Sequence, residues 1–173
     1  MADEFTTLCI KSLKEKLEEE FPNYDWCTEQ TLKNTESRIS VDIYGENDRS
    51  IIILEFEMYR RRPDNNASKL FDFKEILMRK KVIIIHVFSP FYEVKPHYRR
   101  AKFCETILPE QFRQRNINYA TFRWNLSKFP DVHKKCQNPD VDFPPEKDIQ
   151  KAITTLARAL KEIIVKWEIE EST

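Results

Sequence analysis

Glycine is nearly absent: Gly45 is the only one in 173 residues. Glycine-rich loops that cradle phosphate need several, so dinucleotide-binding and P-loop readings are excluded. Cysteine is sparse and scattered, with Cys9, Cys27, Cys104 and Cys136 forming no CxxC pair. Neither a zinc signature nor the disulfide framework of a small secreted domain fits, and packed free thiols are expected. No apolar run approaches transmembrane length. The start, Met1-Ala2-Asp3-Glu4, is acidic and lacks a signal-peptide hydrophobic region. The expectation is a cytoplasmic protein with no membrane partner.

Net charge is missing too, but only in the sum. Residues 1–58 hold 6 Lys/Arg against 14 Asp/Glu, residues 59–102 hold 12 against 4, and residues 103–173 hold 11 against 11. An acidic half followed by a basic stretch suits a polyanionic substrate drawn toward carboxylates that hold a metal. It equally suits an acidic half docking on a basic half. A hydrophobic fraction of 40% at this length predicts one globular domain over residues 1–173, with a core in 5–88 and an extension in 89–173.

Apolar residues at Phe5, Leu8, Leu13, Leu17 and Phe21 predict an amphipathic helix ended by Pro22. Tyr24–Leu32 reads as a first strand. Arg38–Tyr44 alternates, which predicts Ile39, Val41 and Ile43 on one face and Ser40, Asp42 and Tyr44 on the other. Gly45–Asp48 reads as a turn and Ser50–Tyr59 as the third strand. After a loop at Arg60–Asn66, a helix over about 66–80 is predicted to bury Leu70, Phe73 and Leu77. Val82–Phe88 reads as a fully buried strand. A helix at His97–Leu108, a strand at Tyr119–Leu126, an irregular stretch at Lys128–Pro145 and a long helix at about 146–168 complete the chain. The last helix has apolar residues at 149, 153, 156, 160, 163 and 167, a stripe for covering the sheet or for pairing with a second copy.

Chemistry concentrates at the end of the third strand. Glu55 and Glu57 are two apart on an apolar strand, so they share a face about 7 Å apart. At that spacing two carboxylates repel by roughly 2–3 kcal/mol at an effective dielectric of about 20. A cation, basic partners or a raised pKa must compensate.

Asp42 on the second strand, with Glu55-Phe56-Glu57 thirteen residues later, resembles the restriction-endonuclease-like superfamily, the PD-(D/E)XK nucleases, in its Glu-x-Glu variant. The resemblance spans about residues 5–88. Val41 stands where the family has proline, and Glu57 where it has lysine. The fold it implies is a three-layer α/β domain with a mixed sheet and an α-β-β-β-α-β core, here followed by a long C-terminal amphipathic helix. The resemblance implies Mg2+, with Mn2+ as a substitute, held by Asp42, Glu55 and the main chain of Phe56. Glu57 would orient or deprotonate the attacking water or hold a second metal.

A cation should replace the family's lysine, with Lys69 as first choice and Arg60 as second. Arg60, Arg61, Arg62, Asn66 and Lys69 are the candidate phosphate contacts, and Glu20 is the candidate acid from the first helix. His86, inside an apolar strand, reads as a hydrogen-bonded core histidine; His97 and His133 show no partner pattern. The stretch Phe91–Arg100 mixes aromatic and basic residues, as nucleic-acid surfaces and inward-packing loops both do.

The resemblance implies a Mg2+-dependent endonuclease acting on nucleic acid, DNA ahead of RNA, with a homodimer as one assembly. Two rivals stand beside it. One is an inactive nuclease-fold module that binds nucleic acid; the other is a protein-interaction domain using the C-terminal helix.

Overall fold

The computed structural model describes residues 3–33, 38–59, 63, 68–73, 80–94 and 97–169. Helix α1 (Glu4–Glu20) begins at Asp3, whose carboxylate accepts from the Thr6 amide at 3.0 Å and the Thr6 hydroxyl at 2.6 Å. This satisfies one of the amides that a helix start leaves open. Strands β1 (Asp25–Lys33), β2 (Arg38–Glu46) and β3 (Ser50–Glu57) follow as antiparallel neighbours. A short 3-10 turn, Leu70–Phe73, precedes β4 (Lys81–Phe88), which lies parallel to β3. Helices α2 (Tyr98–Thr106) and α3 (Leu108–Arg113) lead to β5 (Asn118–Arg123), parallel to β4. Helices α4 (Pro130–Gln137) and α5 (Glu146–Ile169) end the chain. The sheet order is β1-β2-β3-β4-β5, a mixed sheet with helices on both sides.

Two apolar cores sandwich that sheet. On one side Phe5, Cys9, Leu13 and Leu17 of α1 and Ile149, Ile153, Leu156, Leu160 and Ile164 of α5 pack on Ile43, Ile52, Leu54, Ile83 and Ile85. On the other, Ala101, Cys104, Leu108 and Phe112 of α2 and α3 pack on Ile51, Ile53, Val82 and Ile84. Covered on both faces, β3 and β4 carry an almost unbroken apolar run, as parallel strands must. The C-terminal stripe covers the sheet beside α1, with Lys161 paired to Glu20 at 2.5 Å and Gln150 bonded to Ser12 at 3.1 Å. Among the described residues no helix is long and apolar enough to cross a membrane. All four cysteines are free, and Cys9, Cys104 and Cys136 are buried.

Four expectations are corrected. The segment His97–Leu108 is helical as far as Thr106, and Leu108 opens a second helix that was not expected, with Pro109 in its first turn. The stretch 128–145 holds α4, nucleated in the same way by Pro130. Gly45 is not in a turn but inside β2, and the turn falls at Asn47–Arg49, where the Asn47 side chain accepts the amides of Arg49 and Ser50. The fourth concerns Ile39, Val41 and Ile43, which do not share a face. Ile39 and Val41 join the α2–α3 core, whereas Ile43 joins the α1–α5 core. Strand β1 inverts at the same level, with Trp26 in one core and Leu32 in the other. The exchange centres on Glu29 and Asp42, which are missing from an otherwise continuous register, and Glu29 sits at φ 54°. Of the helix predicted over 66–80, Ser68 and Lys69 are helical, Leu70–Phe73 is a 3-10 turn with Leu70 buried, and Lys80 lies in a bend; residues 66–67 and 74–79 lie outside the described residues.

Gly45 is required by contact, not by conformation. A Cβ there would lie 2.5 Å from two ring carbons of Trp26, whose indole N–H is fixed on the Phe21 carbonyl at 3.1 Å. Gly45→Ala should therefore destabilise the fold by about 1–3 kcal/mol, the usual range for overpacking. A urea denaturation midpoint equal to that of the wild type would refute this account.

Candidate active site

The last paired residues of β2 and β3 are Ile43 and Leu54. One step beyond them stand Asp42 and Glu55, where the ladder opens. Asp42 Oδ2 accepts the amide of Phe56 at 2.7 Å, so a side chain takes over the donor that β2 no longer engages. The face exchange turns Asp42 toward α1, into a cleft of about 660 Å3. Asp3, Thr6, Lys11, Glu29, Ser40 and Phe56 are among its walls. Three carboxylates against one lysine make this cleft acidic. Glu29 is held there in a left-handed conformation that costs a non-glycine residue about 1–3 kcal/mol.

Glu55 and Glu57 occupy the opposite side of β3 and are both 1% exposed. Glu57 Oε1 lies 3.1 Å from His86 Nε2, and His86 Nδ1 lies 2.9 Å from the Tyr119 hydroxyl. The His86 ring is completely buried. Burial, then Cys104 and the carboxylates of Glu57 and Glu55, push the Tyr119 phenol well above its ordinary pKa. With the ring proton on Nε2, His86 donates to Glu57 and accepts from the Tyr119 hydroxyl. The expectation that His86 is a hydrogen-bonded core histidine holds. Beside these groups Ser89 ties the strand ends together, its amide on the Glu57 carbonyl at 3.0 Å and its hydroxyl on the Met58 carbonyl at 2.7 Å.

The remaining candidates separate. Lys69 is exposed, and the imidazole of His86 is one group that meets Glu57. Glu20 points to Lys161 at the far end of α1; the acid that this helix brings to the cleft is its capping residue, Asp3. Arg60, Arg61, Arg62 and Asn66 lie outside the described residues. In the aromatic stretch, Tyr92 is buried and Phe91 packs edge-on against Tyr59 at 5.7 Å, whereas Tyr98, Arg99 and Arg100 face outward. Sequence reasoning missed Asp3, Glu29 and Tyr119. Asp3 had a signal, an aspartate directly ahead of an amphipathic run. Tyr119 had none, being 33 residues from the ring it serves.

The donor set can be tested against a divalent cation. Mg2+ keeps several waters and takes one or two carboxylates. Asp42 supplies one such carboxylate in the cleft, whereas Glu55 is buried on the other side of β3. A closed cage does not fit, because among the described residues no group of three His, Cys, Asp or Glu is placed to hold a metal.

No protein-family model matches the chain. No curated protein matches it. One solved structure that does match is a crystal structure of a protein of unknown function. It is 9% identical, with 90% of this chain and 98% of that chain covered and a TM-score of 0.36. A likeness at this level assigns neither fold family nor activity.

Tyr119→Phe removes the donor to a fully buried ring nitrogen and should cost about 1–3 kcal/mol of stability. Thermal or urea unfolding checks it; an unchanged stability would mean that the chain from Tyr119 to Glu57 is not formed.

Proposed function

We propose that the chain is a divalent-metal-dependent nuclease of restriction-endonuclease-like type that hydrolyses phosphodiester bonds, DNA ahead of RNA. The observation that carries this reading is the opening between β2 and β3, which leaves Asp42 and Glu55 one step past the end of a paired ladder, Asp42 in an acidic cleft and Glu55 on the other side of β3. Carboxylates there are difficult to explain as packing, since the strands around them are apolar. The order α1-β1-β2-β3-β4, with a parallel β3–β4 crossover, supports the same reading.

When bound, Mg2+ would supply a polarised phosphoryl oxygen and a water of lowered pKa. Asp42 would hold it in the cleft, with water and substrate oxygens completing its shell; Glu55, on the other side of β3, is the second ligand that the resemblance implies. The Phe56 amide, engaged by Asp42, fixes the direction of that carboxylate. Glu57 acts as a positioning residue in this reading: bonded to His86, it anchors the end of β3 and so the backbone on which Glu55 stands. His86 is a hydrogen-bond partner of Glu57, and Lys69 and Arg60 remain the sequence candidates for the cation that replaces the family's lysine. Lys11 on the opposite wall of the cleft is the described cation best placed to meet a phosphate there.

Asp42→Asn preserves an acceptor for the Phe56 amide while removing the charge, so the fold should survive. Mg2+- or Mn2+-dependent cleavage of single- and double-stranded substrates should fall by at least about 100-fold, and Glu55→Gln should do the same. Chelation should abolish cleavage outright. Cutting at the wild-type rate by both variants would discard this metal site. Salt-sensitive binding with no cleavage under any metal would instead identify a binding module.

A further inference from the structure

Helix α2 carries an outward face that the proposed metal site does not use. Tyr98 and Phe103 are 44% and 45% exposed, large apolar rings turned to solvent. Arg99, Arg100 and Lys102 are exposed between them. Residues three and four apart are neighbours on a helix, so Arg99, Arg100 and Phe103 form one cluster and Tyr98 and Lys102 another. Ala101 and Cys104 are buried on the opposite side and anchor the helix to the sheet.

The positive charge of this face is not cancelled within the described residues. Arg99 and Arg100 make no ion pair with any of them. The one acid on the helix, Glu105, binds Arg123 at 2.5 Å and lies 3.7 Å from Lys102. The helix also starts without a capping side chain or an acidic residue in its first turn. Two arginines at the positive end of a helix dipole are unfavourable unless an anion offsets them.

Position links the face to the candidate site. The parallel strands end level with one another, Glu57 beside Phe88 and Phe88 beside Arg123. The Arg123 guanidinium lies 5.3 Å from the Tyr98 ring centroid. The start of α2 therefore sits at the same carboxyl edge of the sheet as Glu55 and Glu57, beside Arg123, whose strand lies about 10 Å from β3 at ordinary strand spacing. Open α/β sheets bind ligands at this edge.

We infer that the outward face of α2 is a platform for an unpaired nucleic-acid strand, which it leads toward the metal site. Bases stack on Tyr98 and Phe103, and Arg99, Arg100 and Lys102 follow the phosphates. The inference rests on the nuclease reading for its direction but not for its existence, since binding is measurable without cleavage. Exposed rings between exposed cations match a single strand, whose bases offer free faces, better than a duplex, whose bases are already stacked.

The test is fluorescence anisotropy with labelled oligothymidylate, oligouridylate and a blunt DNA duplex, in chelator so that nothing is cut. The wild type should bind the single strands more tightly than the duplex. Phe103→Ala should weaken that binding about tenfold. Arg99→Ala with Arg100→Ala should lower the slope of log Kd against log salt by about 0.7 for each arginine, while Arg99→Lys with Arg100→Lys should retain it. All these positions are exposed, so unfolding midpoints should stay at the wild-type value. Single-strand affinities and salt slopes unchanged in the alanine variants would overturn the platform. So would preference for the duplex, or association with anionic lipid vesicles and not with oligonucleotides. Cleavage that disappears in Asp42→Asn while α2 variants bind and cut normally would overturn the platform and leave the nuclease standing. Tight α2-dependent binding with no cleavage would do the reverse.

Discussion

The bond from Asp42 to the Phe56 amide is the point on which the candidate site depends. The hairpin β1–β2 is longer than the part of it that pairs with β3, and its two halves serve different cores. Near the sheet, Trp26 and Ile43 face α1 and α5; farther out, Leu32, Ile39 and Val41 face the other way. A regular hairpin cannot do both, because its side chains alternate with a strict period of two. The inversion is localised at Glu29 and Asp42, where pairing lapses and one backbone turns left-handed. That distortion also ends the β2–β3 ladder and would leave the Phe56 amide without an acceptor in a buried strand. The Asp42 carboxylate fills the vacancy, and the same move brings an acid to the lip of the cleft.

A second constraint holds β3 from the opposite face. Glu57, His86 and Tyr119 run diagonally over three parallel strands, each two residues behind the register partner of the one before. Diagonal neighbours on one face of a sheet lie within reach of long and aromatic side chains. In a low-dielectric interior such a chain is stiff, because breaking either bond strands a buried polar group. Asp42 grips β3 on its β2 side at Phe56, and His86 grips it on its β4 side at Glu57. Glu55, immediately before both contacts, has little freedom left.

Much of this architecture was written locally. The apolar period of α1, the β-branched runs of β3 and β4 and the four-residue spacing of α5 are each sufficient to specify their element. The short helices α3 and α4 were harder to see, since proline starts them and proline also marks loops. The face exchange in β2 was not legible, because it depends on the partner strand: nothing in Arg38–Tyr44 says that Glu29 will abandon the extended conformation. Asp42 and Glu55 could be picked out as acids on apolar strands, and they do stand one step past the last β2–β3 pair. The destination of Glu57 could not be read, because it is decided by a histidine and a tyrosine that arrive later in the chain and from other strands. Gly45 misled for a related reason. A lone glycine next to Glu-Asn-Asp suggests a turn, yet the constraint is an indole lying across β2 from β1.

The segregation of charge along the sequence reappears in space, and it bears on why a cation belongs in the cleft. Asp3, Glu29 and Asp42 present negative charge to anything entering, and Lys11 offsets only part of it. A phosphate approaching that wall alone meets repulsion, whereas the outward face of α2 attracts it. A polyanion drawn to the basic face at the carboxyl edge can reach the acids only when positive charge is added between them. In the proposed reading, a divalent ion at Asp42 would supply that charge.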